Sequence, residues 1–531
     1  MGGAAGSAGP VVPAAAERVA VDFAGEGEGL EEMSWGMWEI WQAMGRQRNQ
    51  LPIGGRSPVE PGTTLDDLAA ELRYLMERFP SMRTRLRFAP GGRALQQLFS
   101  AGQVTLEVYD APADADPLEV AAAVEERYCS EPFDFAGQWP VRMAAVRQHG
   151  RPVQRVTVMH HLVTDGLGGA IMLGQVRARN TEPVGGMQQL EQARWQRSAE
   201  GRRQSERALR HFEGVLRSMP AQQLPGPTDP REPRHWGAQF HSAALTAALP
   251  AIAARTGTAV PGILLGLFAV GLYRATGISP VVVRPVVNNR FRAVFADVVC
   301  MVAQAGVCAV DVAGASAAEA VERAGRGSTT AYRHAYFDPE ALDELVERVS
   351  IERGEDANIR TYFNNRSTYA LPAETGREMD PQELAGELRA ASRDTVFHWF
   401  AREEAQRERF FVHVDDTPEG GLRFEIRVDT HYVSPAQAEA FAYAMEAAAI
   451  EAALGEGAAQ EVEGRPPGRP HREWSQRPPP GPSRHRTGSP GERLRRRSSD
   501  HTRGPGGSAS RRGAAACCGL PHLRAGRPAR R

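Results

Sequence analysis

VMHHLVTDGLGG (Val158–Gly169) sets two adjacent histidines, three uncharged residues and Asp-Gly between two patterned segments. The approach, RVTVMHH (Arg155–His161), alternates as a strand does. AIMLGQV (Ala170–Val176), which follows the glycines, reads as a helix packed beside that strand. Neighbouring side chains on a strand point to opposite faces, so His160 and His161 cannot both aim at one ion. No HExxH or comparable ligand set accompanies them, and no metal is expected. A nucleophilic triad lacks its elbow: there is no GxSxG, and Cys300 and Cys308 sit in apolar surroundings where a thiol stays protonated. Two readings remain. One histidine is an acid–base group, since imidazole titrates near pH 6.5, or the pair is buried and structural. Asp165 either orients His161 or anchors the loop, and Gly166 permits a tight turn close to reacting atoms.

Outward from this stretch the chain alternates helices and strands, which indicates an α/β (α+β) fold in two lobes. SWGMWEIWQAM (Ser34–Met44) starts an apolar helix. Leu65, Leu68, Leu72, Leu75 and Phe79 recur at helical spacing, with Thr64 and Asp67 as a start signal. LQQLFS, VTLEVYD and VRMAAVRQ read as strands, with a helix near Pro117–Tyr128. A leader (1–30) rich in Gly and Ala is expected to be flexible, and the first lobe covers 31–180. A polar connection (181–235) leads to a second lobe (236–455). That lobe should hold a strand around His241–Leu245, helices through Tyr273, and strands at PVVVRPVV, AGVCAVDV, IRTYFNN, RFFVHVDDT and LRFEIRVDT. Ser434-Pro435 caps a last helix. Residues 465–531 are Arg, Pro, Gly and Ser with few apolar side chains, so they are expected to be disordered.

The net charge of −1 hides an asymmetry: 17 arginines face three acidic residues from Arg465 onward, and 46 face 61 before it. An acidic folded part argues against nucleic acid as a partner. The sequence contains no lysine, which removes P-loop phosphate binding and pyridoxal Schiff-base chemistry. The five cysteines include no CxxC pair. No signal peptide is evident. AVPGILLGLFAVGLY (Ala259–Tyr273) contains Pro261 and falls short of a membrane span. A buried core helix and a cytoplasmic protein, with no membrane partner, are expected.

HHLVTDG (His160–Gly166) resembles the HHxxxDG signature of the condensation domains of nonribosomal peptide synthetases. SWGMWEIWQAM, RFPSMRTRLR (Arg78–Arg87), PFDFAGQWPVRM (Pro132–Met143), RPVVNNR (Arg284–Arg290) and IRTYFNN are similar to further segments of that family, in order over roughly residues 30–455. The resemblance implies two chloramphenicol-acetyltransferase-like lobes in a V with a central tunnel. Phosphopantetheine arms of acyl or peptidyl carrier proteins, acting in trans, would deliver the substrates, with no bound cofactor. It implies an acyltransferase forming an amide between a carrier-bound thioester and an amine. An ester-forming enzyme acting on a hydroxyl and an inactive carrier-docking module are the alternatives. His161 would be the base or would position the amine, His160 would be structural, and Asp165 would pair with Arg290. The segment CMVAQA (Cys300–Ala305) departs from the family's GFFVNT at Cys300 and Gln304, which with Asn289 of RPVVNNR are put forward as tunnel-wall residues.

Overall fold

The computed structural model describes residues 14–371, 380–404 and 407–455. Residues 1–13 and the 465–531 segment lie outside them. The first lobe holds β1 (Glu17–Ala24), β2 (Gly29–Glu32), α1 (Trp35–Gln47), β3 (Ile53–Pro58), α2 (Leu65–Arg78), β4 (Thr84–Phe88), β5 (Ala94–Leu98) and β6 (Ala101–Asp110). It continues through α3 (Pro117–Ser130), β7 (Val141–Gln148), β8 (Arg151–Met159) and α4 (Gly166–Ala178). Its main sheet runs β1-β6-β7-β8-β3, and a small sheet runs β2-β5-β4. The connection folds as α5 (Gln189–Gln196) and α6 (Ala199–Ser218).

The second lobe comprises β9 (His235–His241), α7 (Ala243–Thr256), α8 (Val260–Thr276), β10 (Val281–Val287), β11 (Gln304–Ala305), β12 (Cys308–Val310), α9 (Ala317–Arg333) and α10 (Pro339–Arg353). It ends with β13 (Thr361–Asn365), α11 (Pro381–Ala391), β14 (Val396–Glu403), β15 (Phe410–Asp416), β16 (Leu422–Asp429) and α12 (Pro435–Leu454). The sheet order is β11-β10-β13-β15-β16-β9-β14, with β12 also on β10.

Local chemistry accounts for the elements that place the site. Thr64 and Asp67 form a reciprocal capping box on α2, and Ser434 caps α12 with Pro435 in its first turn. On β16, Leu422, Phe424, Ile426 and Val428 enter the core beneath α7, α8 and α12, while Arg423, Glu425 and Arg427 face the other way. The apolar stretch within α8 is buried on all sides. No single helix among the described residues is long and apolar enough to cross a membrane, and the α7–α8 pair that passes jointly is bent by 106°.

Two expectations are overturned. The leader is not flexible throughout 1–30, because β1 pairs with β6 along its whole length and β2 pairs with β5. Val19, Val21 and Phe23 alternate toward the core, and that short period is diluted in the sequence by Gly and Ala. The strand expected at His241–Leu245 ends at His241, because the Ser242 hydroxyl accepts from Leu245 N and starts α7.

The lobes share one segment, Phe295–Ala303. Val299 belongs to the first lobe's core, and Met301 and Ala303 pack with Met33, Met37 and Met44. Ser81 Oγ donates to Val299 O at 2.7 Å. At Gly36 of α1 a Cβ would lie 2.5 Å from Met301 O, so the helix and this segment meet backbone to backbone.

Candidate active site

β8 ends at Met159, and His160 N donates to Pro140 O at 3.1 Å, which holds the first histidine at the sheet's end. Its ring is 4% exposed and stands edge-on to Phe133 and Phe135, at 5.3 and 5.0 Å. Burial pushes the His160 imidazole down to about 3. His161 opens the following turn and is half-buried. Burial lowers its pKa as well, opposed by its own backbone and by Asp165. Its Nδ1 is buried and has no hydrogen-bond partner among the described residues. One ring is packed into the first lobe. The other is only partly buried, and each ring keeps an Nδ1 without a hydrogen-bond partner among the described residues.

Asp165 caps α4 by accepting Gly168 N at 2.8 Å. Its Oδ2 also accepts Val302 N and Ala303 N, both at 3.1 Å. Arg290 Nη1 lies 2.7 Å from Oδ1 and 2.9 Å from Oδ2. Arg290 Nη2 donates to Val298 O and Cys300 O at 3.1 and 3.2 Å. The carboxylate is therefore saturated by a helix start, a guanidinium and two amides of the shared segment. It makes no hydrogen bond to His161, so of the two roles open to it the geometry supports the anchor.

Gly166 is exposed with an ordinary backbone, and a Cβ there would meet nothing within 4 Å, so it serves no tight turn. The position that needs glycine is Gly168, where a Cβ would come within 2.5 Å of Thr164 Oγ1 and 2.7 Å of Arg290 Nη2. Arg290 is held by its four acceptors and cannot give way. Gly168→Ala is thus expected to cost about 1–3 kcal/mol, and Gly166→Ala to be neutral or to gain up to about 1 kcal/mol. Urea denaturation of the two variants checks this, and equal midpoints would contradict it.

The three residues expected at the tunnel wall are instead internal anchors. Asn289 is fully buried at φ 58°, donating to Val302 O (3.0 Å) and Ala335 O (2.9 Å). Gln304 brackets Phe337, donating to its O at 3.0 Å and accepting from its N at 3.2 Å. Cys300 accepts from Gln192 Nε2 at 3.1 Å, and burial pushes its thiol up to about 12. The segment around residue 300 is not a continuous strand, so alternation does not say which way its side chains turn.

Sequence reasoning missed the face that the second lobe turns away from its core. Register places Tyr362 beside Phe411 and Asn364 beside His413. The His413 ring stacks on Phe411 at 4.2 Å, with Nδ1 3.4 Å from Asn364 Nδ2. Arg366 grips Asp415 through two hydrogen bonds of 2.8 and 2.7 Å. The Arg366 charge bears on both His161 and His413, lowering each further after burial. The alternation Tyr362, Asn364, Arg366 was the available signal. Among the described residues, no group of three His, Cys, Asp or Glu is arranged to hold a metal.

His160 also sets a pH dependence. Its folded-state pKa lies below its unfolded value, so between about pH 6.5 and 3 the unfolded chain binds more protons and stability falls as pH falls. Wild type is expected to lose up to about 1.4 kcal/mol per pH unit more than His160→Asn over that window. Denaturation at stepped pH measures the difference, and parallel slopes would exclude it.

The family model for the condensation domain matches residues 58–440. Among curated proteins none matches the sequence. Solved structures with the same fold include a condensation domain of chain release from the enacyloxin polyketide synthase, at 19% identity, 85% of this chain, 86% of that chain and TM-score 0.63. Another is the condensation domain of the monacolin K polyketide synthase, at 14% identity, 81% and 99% coverage and TM-score 0.61. A third is the first condensation domain of the calcium-dependent antibiotic synthetase, at 18% identity, 80% and 97% coverage and TM-score 0.57.

Proposed function

Because the chain belongs to the condensation domain family, we propose that it is an acyltransferase joining a carrier-bound acyl thioester to an amine. The amine nitrogen attacks the thioester carbonyl, the carbon–sulfur bond breaks, and the carrier's phosphopantetheine thiol leaves. The proton lost by the amine passes to His161 and returns to solvent or to the departing thiolate. The observation that carries this reading is the divergence of the two histidines. His160 is sealed between two phenylalanines, whereas His161, whose Nδ1 is likewise without a partner among the described residues, stands partly exposed on the turn beyond β8. Burial keeps His161 neutral at pH 7, the form that accepts a proton. Asp165 and Arg290 support the loop from beneath and take no part in proton transfer. Carrier proteins acting in trans are the proposed partners.

The test is to incubate the full chain with acyl-loaded carrier proteins and a panel of amine and alcohol acceptors, following products by mass spectrometry. Amide formation by wild type is the expected result. Ester products alone would move the assignment to an alcohol acceptor. Acyl groups left on every carrier, with wild type no different from His161→Ala, would overturn the proposal.

A further inference from the structure

The outer side of α3 carries a charge that nothing local matches. Glu119, Ala122, Glu126 and Cys129 recur at steps of three and four, so they share one side of the helix. Asp114 lies just before α3 and Glu131 just after it. The four acidic side chains are exposed, and none has an ion-pair partner among the described residues. The arginines close by are engaged elsewhere. Arg127 pairs with Glu107, and Arg56 pairs with Glu125. Arg142 donates to the carbonyl oxygens of Tyr128, Glu131 and Pro132. The face is therefore left acidic.

The cysteine on this face points to what covers it. Cys129 is partly buried and disulfide-bonded, whereas Cys300 and Cys308 are buried free thiols. The sequence holds two further cysteines, Cys517 and Cys518, within RRGAAACCGLPHLRAGRPARR (511–531). That stretch has six arginines and no acidic residue, so its charge complements the face. Sixty-two residues link Gly455 to Cys517, and an extended chain of that length covers up to about 200 Å. Reach sets no limit. From these observations we infer that α3 is the docking face for segment 511–531 of the same chain, fastened by a disulfide between Cys129 and Cys517 or Cys518. The bond forms by exchange with a low-molecular-weight disulfide such as glutathione disulfide. One protein thiolate attacks a glutathione sulfur and expels a glutathione thiolate. The second cysteine then displaces the other glutathione from the mixed disulfide. Two protein thiols are oxidised, and one glutathione disulfide is reduced to two thiols that take up the two protons released. Excess thiol reverses the exchange and leaves charge alone to hold the segment.

The test takes the full chain, reduces it, exposes it to glutathione disulfide and digests it with trypsin in the absence of reductant. Mass spectrometry is expected to find YCSEPFDFAGQWPVR (128–142) joined to GAAACCGLPHLR (513–524), in protein that stays monomeric. Replacing Glu119, Glu126 and Glu131 together by glutamine removes charge from exposed positions that support no other side chain. That triple variant is expected to form the linked pair about tenfold more slowly, as three exposed ion pairs acting together imply. Salt at about 0.5 M should slow the wild type by a similar factor. Cys517→Ser combined with Cys518→Ser changes nothing in the two lobes, and should leave Cys129 as its glutathione adduct. Cys129 recovered from wild type only as that adduct, or only in links between two chains, would overturn the inference. So would Cys517 joined to Cys518 with Cys129 left as a thiol. A linked pair that forms at the same rate in high salt and in the triple variant would overturn it as well, because the acidic face would then play no part. The readout is a covalent bond, so it stands apart from any assay of acyl transfer.

Discussion

His161→Ala is expected to cut amide formation about 10²- to 10⁴-fold, the range that loss of a positioned acid–base group produces. Nothing in the fold leans on this ring. It is half-buried, its Nδ1 has no hydrogen-bond partner among the described residues, and it sits on a loop fixed by Asp165. Stability is therefore expected to change by less than about 1 kcal/mol. The pH profile gives a second readout. Burial lowers the pKa of His161 from its usual 6.5, which favours the proton-accepting form at neutral pH. The wild-type rate should stay level from pH 7 upward and decline only as pH falls below about 6.5. Matched rate assays and melting curves decide between roles. A folded His161→Ala protein with wild-type turnover would remove the imidazole from the mechanism. A rate that climbs on acidification would make the charged ring the active form.

Asp165→Ala should do the reverse, damaging the fold first. The substitution strands Arg290, whose side chain is 3% exposed, and leaves the amides of Gly168, Val302 and Ala303 without an acceptor. Breaking one side of a buried ion pair costs about 3–5 kcal/mol, chiefly because the surviving charge keeps its desolvation penalty. Removing both partners should cost less than the two single changes added together. A double-mutant cycle with Arg290→Met, followed by urea denaturation, isolates that coupling. Additive losses would mean that the two side chains are energetically independent despite their 2.7 Å approach. Activity of Asp165→Ala would fall with the folded fraction, unlike that of His161→Ala.

The parts of this molecule legible in its sequence were those governed by period and by caps. The β16 alternation, the capping box at Thr64 and the Ser434-Pro435 start each follow from local chemistry. The histidine pair was legible as a motif but not through strand alternation: β8 ends at Met159, two residues short of the expected strand, and the turn that follows directs the two rings. What could not be read were side chains in the shared segment and just after it. Cys300 and Gln304 turn inward because Gln192 and Phe337 await them from elements far away in sequence.

The shared segment Phe295–Ala303 bears on how such a protein can be recombined. Its side chains fill the interior of a lobe encoded more than 100 residues upstream, and Ser81 and Asp165 each hold its backbone. A hybrid assembled by fusing the front half of one relative to the back half of another would bring mismatched stuffing into that interior. Crossover points chosen in the polar connection would therefore fail unless this nine-residue plug travels with the front half. The gene looks divisible in two, but the folded product has a piece of one half built into the other.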